Sequence, residues 1–155
     1  MLAALAGSAG WGWHAAGRAA ATFHATVVEV VDGDTFVVRY ANGRRDTVRM
    51  LGVDAPETVH PDRPVECFGP EARAYTTARL HGRAVVLETD AEPRDAYGRL
   101  LASVRVGGER VEDELLRRGL ARYLVIAPNT RRARALLAAE LDARTARRGL
   151  WGACA

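Results

Sequence analysis

Two tight-turn dipeptides, Asp32-Gly33 and Asn42-Gly43, cut residues 26–53 into three β-rich runs. The connections are so short that only an antiparallel meander can join them. Thr26–Val31 is β-branched and apolar apart from Glu29, Thr35–Tyr40 is rich in valine and aromatics, and Thr47–Val53 forms the third run. Three paired strands in so little chain need a further layer or closure to bury their apolar face.

The stretch 54–69 holds Pro56, Pro61 and Pro64 and reads as loop. Gly69-Pro70 then opens a helix, with proline in its first turn and Glu71 favourable to the dipole, and His81-Gly82 ends it. Ala84–Glu88 and Leu100–Val106 are the fourth and fifth strands, and Gly107-Gly108 is a turn. Glu112–Arg118 carries acids first and arginines last, a well-charged short helix. Asn129 or Thr130 caps a third helix, along which Ala133, Leu136, Leu137, Glu140, Leu141 and Arg144 recur at helical spacing until Gly149. The fold class is therefore α+β. Five short strands with three helices predict a small closed barrel of the oligonucleotide-binding type with three packed α-helices.

A length of 155 residues suits one domain, and 48% hydrophobic with 26% charged residues is ordinary for a globular chain. No run of about 18 apolar residues exists to span a membrane. All 22 basic residues are arginine, and the formal net charge is +3. Seven arginines lie between Arg122 and Arg148, against only Glu140 and Asp142, so the basic excess is C-terminal and the remainder is richer in acid. That division suits a protein that meets a polyanion while holding a cation; a solvated helix face is the plain alternative.

Residues 1–22 differ from the rest: an apolar run MLAALAGSAG, then Trp11, Trp13 and small residues to Ala21, with Ala19-Ala20-Ala21 as a small-residue cleavage site. An export signal lacking its basic start and an Ala/Gly-rich tail both fit, and in either case the domain is taken as residues 23–155. Cys67 and Cys154 are the only cysteines and lack a histidine pair at zinc-ligand spacing. A bond between them would fasten the C-terminus to the body and place the chain in an oxidising compartment; two free thiols in a cytosolic protein are the alternative.

Asp32-Gly33-Asp34 stands at the first hairpin and Asp54-Ala55-Pro56-Glu57 just beyond the third strand. In a meander, the start of the second strand and the end of the third share one end of the sheet, so Asp34 and Asp54 become neighbours. Two adjacent carboxylates repel unless a cation lies between them. Oxygen ligands on loops, completed by a backbone carbonyl and waters, suit Ca²⁺, with Mg²⁺ or Mn²⁺ as alternatives. An isolated Asp-Gly-Asp is first a turn; the two acidic motifs at matched strand ends are more specific. Arg49 lies on the third strand and Arg99 follows Tyr97-Gly98 at the opening of the fifth. Their planar forks match phosphate, although each alone also fits a surface ion pair. Metal, carboxylate and two guanidiniums form a set suited to phosphodiester cleavage.

The strings VDGDT (31–35), RMLGVDAPET (49–58), HP (60–61), VECFGPEA (65–72), DAYGRLLA (95–102), RRGLA (117–121) and APN (127–129) resemble, in order and spacing, the staphylococcal (micrococcal, thermo-) nuclease family, over about residues 26–151. CFGPEA and the C-terminal LWGAC are similar to forms in exported bacterial members. The resemblance implies a five-stranded oligonucleotide-binding-type barrel with three helices. It implies that Asp34, Asp54 and the backbone carbonyl of Ala55 hold Ca²⁺, with Asp32 behind them. Glu57 becomes the general base or water-positioning group, Arg49 and Arg99 the phosphate ligands, and Tyr97 the lining of the nucleotide pocket. Tyr123 is either a platform for a base or a barrel-rim aromatic. Three departures stand out: Ala55 replaces a frequent threonine but keeps the needed carbonyl, Ala96 replaces a basic residue that can hold a terminal phosphate, and the stretch 121–129 is one residue short.

The expectation is a secreted or envelope-associated, metal-dependent nuclease that hydrolyses DNA and RNA with low sequence specificity and leaves 3′-phosphate ends. Its partners would be single-stranded or breathing DNA and RNA, the chain would act as a monomer, and it would not insert stably in a membrane. The alternatives are a non-catalytic nucleic-acid-binding module on the same fold and a calcium-stabilised structural protein. Catalytically dead relatives lose the acids and arginines; here Asp34, Asp54, Glu57, Arg49 and Arg99 are all present.

Overall fold

A computed structural model describes residues 20–154, so the signal-like residues 1–19 lie outside the described residues. The barrel is built from β1 (Thr22–Asp32), β2 (Thr35–Arg39), β3 (Arg45–Met50), β5 (Ala84–Glu88) and β6 (Leu100–Val106). β4 (Val53–Asp54) lies between β3 and the helix α1 (Gly69–Leu80). The antiparallel order is β3-β2-β1-β5-β6, and a parallel pairing of β3 with β6 (Val48 opposite Leu100, Arg49 opposite Leu101) closes the ring. β1 is long because it serves both sides of the barrel. Thr22–Thr26 pair with β5 and Thr26–Asp32 with β2, with register shifts at Val27/Glu29 and Val30/Asp32 that let it bend.

Closure leaves an interior filled by alternate side chains: Val27, Phe36, Val38, Val48, Met50, Leu87 and Val104 are buried. β6 is buried at every position but Arg105, since it lies beneath α2 (Val111–Arg117), which follows the two-residue β7 (Glu109–Arg110). α1 lies on β1 through Ala72, Thr76 and Leu80, spaced to share one face. The Thr76 hydroxyl donates to the Gly33 carbonyl at 2.6 Å, which seats the helix on the first hairpin. α3 (Ala133–Thr145) packs on α2, and a last turn of helix, α4 (Leu150–Ala153), is seated by a hydrogen bond from Leu150 N–H to the Gly119 carbonyl.

The third sequence strand divides in the structure. β3 ends at Met50, Gly52 takes a φ of 77°, and Val53–Asp54 pair separately with β8 (Arg122–Tyr123). The positive φ turns the chain, so Asp54 leaves the barrel wall and stands over its rim. β1 begins at Thr22, four residues before the apolar run predicted it, because its first half is an exposed ladder with β5. α4 carried no periodic signal at all, being a single turn. Cys67 and Cys154 are bonded, across 87 positions of sequence.

Candidate active site

The Asp34 end of β2 and the Asp54 end of the β3–β4 segment meet. Met50 N–H donates to the Asp34 carbonyl at 2.9 Å, and Ala55 N–H donates to Asp34 Oδ2 at 2.8 Å. The other Asp34 oxygen accepts from the Thr35 hydroxyl at 2.9 Å. Around them a cleft of about 220 Å³ is lined by Asp32, Asp34, Arg49, Asp54, Ala55, Glu57 and Arg99, with Val31, Thr35 and Val59.

Arg49 is buried and its orientation is fixed by the barrel. Nη1 donates to the carbonyls of Met50 (3.0 Å) and Val53 (2.6 Å), and it lies 3.3 Å from Asp34 Oδ2. Nη2 donates to Asp54 Oδ1 at 3.1 Å. One guanidinium therefore spans both carboxylates. Arg99 is held differently: its Nε donates to Asp95 Oδ2 at 2.6 Å, and its guanidinium lies 5.5 Å from the Tyr97 ring centroid. That bond engages one edge of the fork, and the other edge is the part that can take a phosphate. Tyr97 itself is 86% exposed.

Asp32 is buried at the floor. Its carboxylate accepts from Gly33 N–H (2.8 Å), the Thr58 hydroxyl (2.7 Å) and Thr58 N–H (3.3 Å). Burial pushes Asp32 above the ordinary carboxylate range, against the pull of these donors. Glu57 moves the other way. Hydrogen bonds from the amides of Val59 (2.8 Å) and Thr58 (3.0 Å), together with a contact with Asp32, hold it below its usual value and ionised at neutral pH. The two neighbouring carboxyls are thus shifted in opposite directions, with Glu57 the one held in its charged form. Asp54 is raised, chiefly by partial burial and further by Asp34, with Arg49 opposing.

The donor set fits a hard cation. Among the described residues no three His, Cys, Asp or Glu side chains are grouped so as to hold a metal ion by themselves. The Asp34 and Asp54 carboxylates alone are an incomplete shell, and Asp54, with 55% of its side chain exposed, leaves room for waters. The part of the Asp54 shift that comes from Asp34 is relieved by added positive charge.

Tyr123 is placed elsewhere. It packs half-buried against the core, its N–H donates to Glu140 Oε1 at 3.1 Å, and it lines a second cleft under α3 with Leu51, Asn129, Arg131 and Leu136. Sequence reasoning missed two groups that hold the site together: Asp95, which fixes Arg99, and Glu66, whose Oε2 accepts from Glu57 N–H at 3.2 Å. An acid four residues before Arg99 was the available signal for the first; nothing in the spacing of Glu66 announced the second.

Residues 47–153 match the sequence model of the family described as Staphylococcal nuclease homologue. The chain is 38% identical over 125 residues to the thermonuclease of Staphylococcus hyicus, a span covering 81% of this chain and 73% of that protein. It is also 38% identical over 125 residues to the thermonuclease of Staphylococcus intermedius, covering 81% and 74%. Endonuclease YncB of Bacillus subtilis (strain 168) is 40% identical over 128 residues, covering 81% of this chain and 60% of that protein.

Proposed function

The chain belongs to the staphylococcal nuclease family, and on that premise we propose that it is a calcium-dependent nuclease that hydrolyses DNA and RNA. The observation that carries this reading is the single cleft into which Asp34, Asp54, Ala55, Glu57, Arg49 and Arg99 all face or border. Asp34, Asp54 and the Ala55 carbonyl would hold Ca²⁺, with Mg²⁺ or Mn²⁺ as the other cations the donor set admits. When bound, the ion supplies charge neutralisation at a phosphate oxygen.

The chain's own groups do the rest. Glu57, ionised and unencumbered by an arginine, orients a water and takes its proton as the water attacks phosphorus. Arg49, with Nη1 locked by two backbone carbonyls and Nη2 on Asp54, has Nε–H and the second Nη2–H left to offer a phosphate from a fixed plane. Arg99, steadied by Asp95, meets the charge that grows on the phosphoryl oxygens in the transition state. Departure of the 5′-oxygen leaves 3′-phosphate ends. Tyr97, largely exposed beside Arg99, offers a ring face to a base. These groups touch backbone and ring faces, which carry little sequence information, so selectivity is low and unpaired strands are cut first. The Cys67–Cys154 bond fits action outside the cell or in its envelope.

Incubation with single-stranded DNA, duplex DNA and RNA across Ca²⁺, Mg²⁺, Mn²⁺ and a chelator tests the reading. Cleavage that the chelator abolishes is expected, and Glu57→Gln is expected to lower kcat by about 10²–10⁴-fold with nucleic-acid binding retained. Retardation of nucleic acid without cleavage would instead establish a binding module.

A further inference from the structure

The segment that carries Glu57 is fastened on two sides. On one, Thr58 binds Asp32 through its hydroxyl and its amide. On the other, Glu66 reaches back to Glu57 itself. The Glu66 carboxylate accepts from Glu57 N–H at 3.2 Å, and the Glu66 N–H donates to the Glu57 carbonyl at 2.9 Å. The Glu66 carbonyl in turn accepts from Gly69 N–H at 3.0 Å, at the first residue of α1. One residue thus ties both peptide groups of Glu57 to the helix. The fit is close: a Cβ on Gly69 would lie 2.7 Å from Thr58 Cγ2, 3.1 Å from the Glu57 carbonyl and 3.2 Å from that of Pro56.

The loop 58–65 contains no strand or helix, so these bonds fix its ends. The next residue, Cys67, is bonded to Cys154, immediately after α4. α4 is seated in its turn on the end of α2 through Leu150 and Gly119. The Glu66–Cys67 pair is therefore joined at once to the catalytic segment and, covalently, to the far end of the chain. The Glu57 carboxylate binds the amides of the two residues after it, so its place in the cleft follows the backbone at 57–59. Whatever fixes that backbone fixes the proton acceptor.

We propose that Glu66 is a positioning residue for Glu57 and that the Cys67–Cys154 bond keeps this clamp closed, so that turnover depends on the oxidation state of the two cysteines. The inference rests on the reading of Glu57 as the group that acts on water. A dithiol opens the clamp by transferring two electrons and two protons to the two sulfurs, giving two thiols, and is itself oxidised to a cyclic disulfide. A nuclease built this way is slow in a reducing cytoplasm and becomes fully active after export to an oxidising compartment.

Steady-state cleavage of single-stranded DNA with Ca²⁺ is compared for the parent, Glu66→Ala and Glu66→Gln, each with and without dithiothreitol, with far-UV circular dichroism recorded alongside. Glu66→Ala is expected to lower kcat by about 10–100-fold with KM nearly unchanged, the size of effect a small displacement of a catalytic group produces. Glu66→Gln keeps an acceptor oxygen for Glu57 N–H and is expected to retain most of kcat. Reduction is expected to lower kcat of the folded parent in the same manner, and to add little to Glu66→Ala because both act on one clamp. A parental kcat in Glu66→Ala, an equal loss in Glu66→Gln, or an unchanged kcat in reduced, folded parent would each overturn the proposal. Loss of the fold on reduction would make the bond a structural requirement only and would overturn its part in the clamp. A parent that cleaves nothing with any cation removes the nuclease reading instead; hydrogen exchange at the Glu57 and Glu66 amides then decides the clamp, faster exchange in Glu66→Ala sustaining it and equal exchange ending it.

Discussion

Gly33 sits between the two acids of the first hairpin, and its missing side chain shapes the cleft. A Cβ there would lie 2.6 Å from the Ala55 Cβ and 3.1 Å from the Ala72 Cβ. Gly33→Ala is therefore expected to push the Ala55 segment away from Asp34 and to destabilise by about 1–3 kcal/mol, as overpacking does. Calorimetric titration with Ca²⁺ and urea unfolding check the two effects: weaker cation binding together with a lower urea midpoint is expected, and a parental value for both would show that the segment yields without cost. The Asp-Gly spelling reads as a turn, and a turn is what forms, but the need for glycine here is the close approach of Ala55 and α1, which only the folded chain brings together. Asn42-Gly43 is the opposite case, where Gly43 takes a φ of 82° in open space and the local signal was the whole reason. The acids themselves were legible because strand ends fix neighbours. Glu66 was not, because its partner is a peptide group nine residues away across a loop.

The helices α1 and α2 are joined to each other by half-buried charge. Glu114 of α2 takes a two-pronged contact from Arg79 of α1, at 2.8 Å and 2.9 Å, and a 2.6 Å hydrogen bond from the Tyr75 hydroxyl. The Arg79 hydrogen bonds, aided by Tyr75, hold Glu114 below the ordinary glutamate value. The folded chain then binds this proton less readily than the unfolded one. The contribution is complete above the unfolded value of about 4.3 and is lost as pH falls through the lower folded value. Glu114→Gln is expected to unfold at lower urea concentration than the parent at pH 7, with the gap narrowing as pH falls below about 4.3; a gap that stays constant with pH would deny the ion pair its role. β5 and β6 were legible to the residue because their apolar runs are bounded by turn residues and charged loops. The α1–α2 bridge was not, since 35 positions separate Arg79 from Glu114 and no local pattern pairs them. Tyr123 shows the same limit: its surroundings are set by β4 and α3, and neither contact is local.

At the scale of the whole molecule, the barrel closes on itself but its covering does not. α3 and α4 come last in the chain and lie over β8 and the end of α2. Trp151 of α4 lies 4.1 Å from the Arg144 guanidinium and 5.7 Å from that of Arg122, measured to a ring centroid, contacts worth about 0.5–1 kcal/mol each near a surface. This four-residue helix is anchored by the buried Leu150 and by the Cys67–Cys154 bond just beyond it. The bond closes a loop that runs from the start of α1 through β5, β6, α2 and α3, so it restricts the unfolded chain over more than half its length. In the chain-entropy account such a loop stabilises by about 4–5 kcal/mol. Replacing both cysteines, Cys67→Ser with Cys154→Ser, is expected to lower the urea midpoint by an amount approaching that figure and to speed hydrogen exchange first in α4. Should the double variant unfold at the parental midpoint, the packing of Leu150 and Trp151 alone would suffice to hold the terminus, and the disulfide would have no share in the stability of the fold.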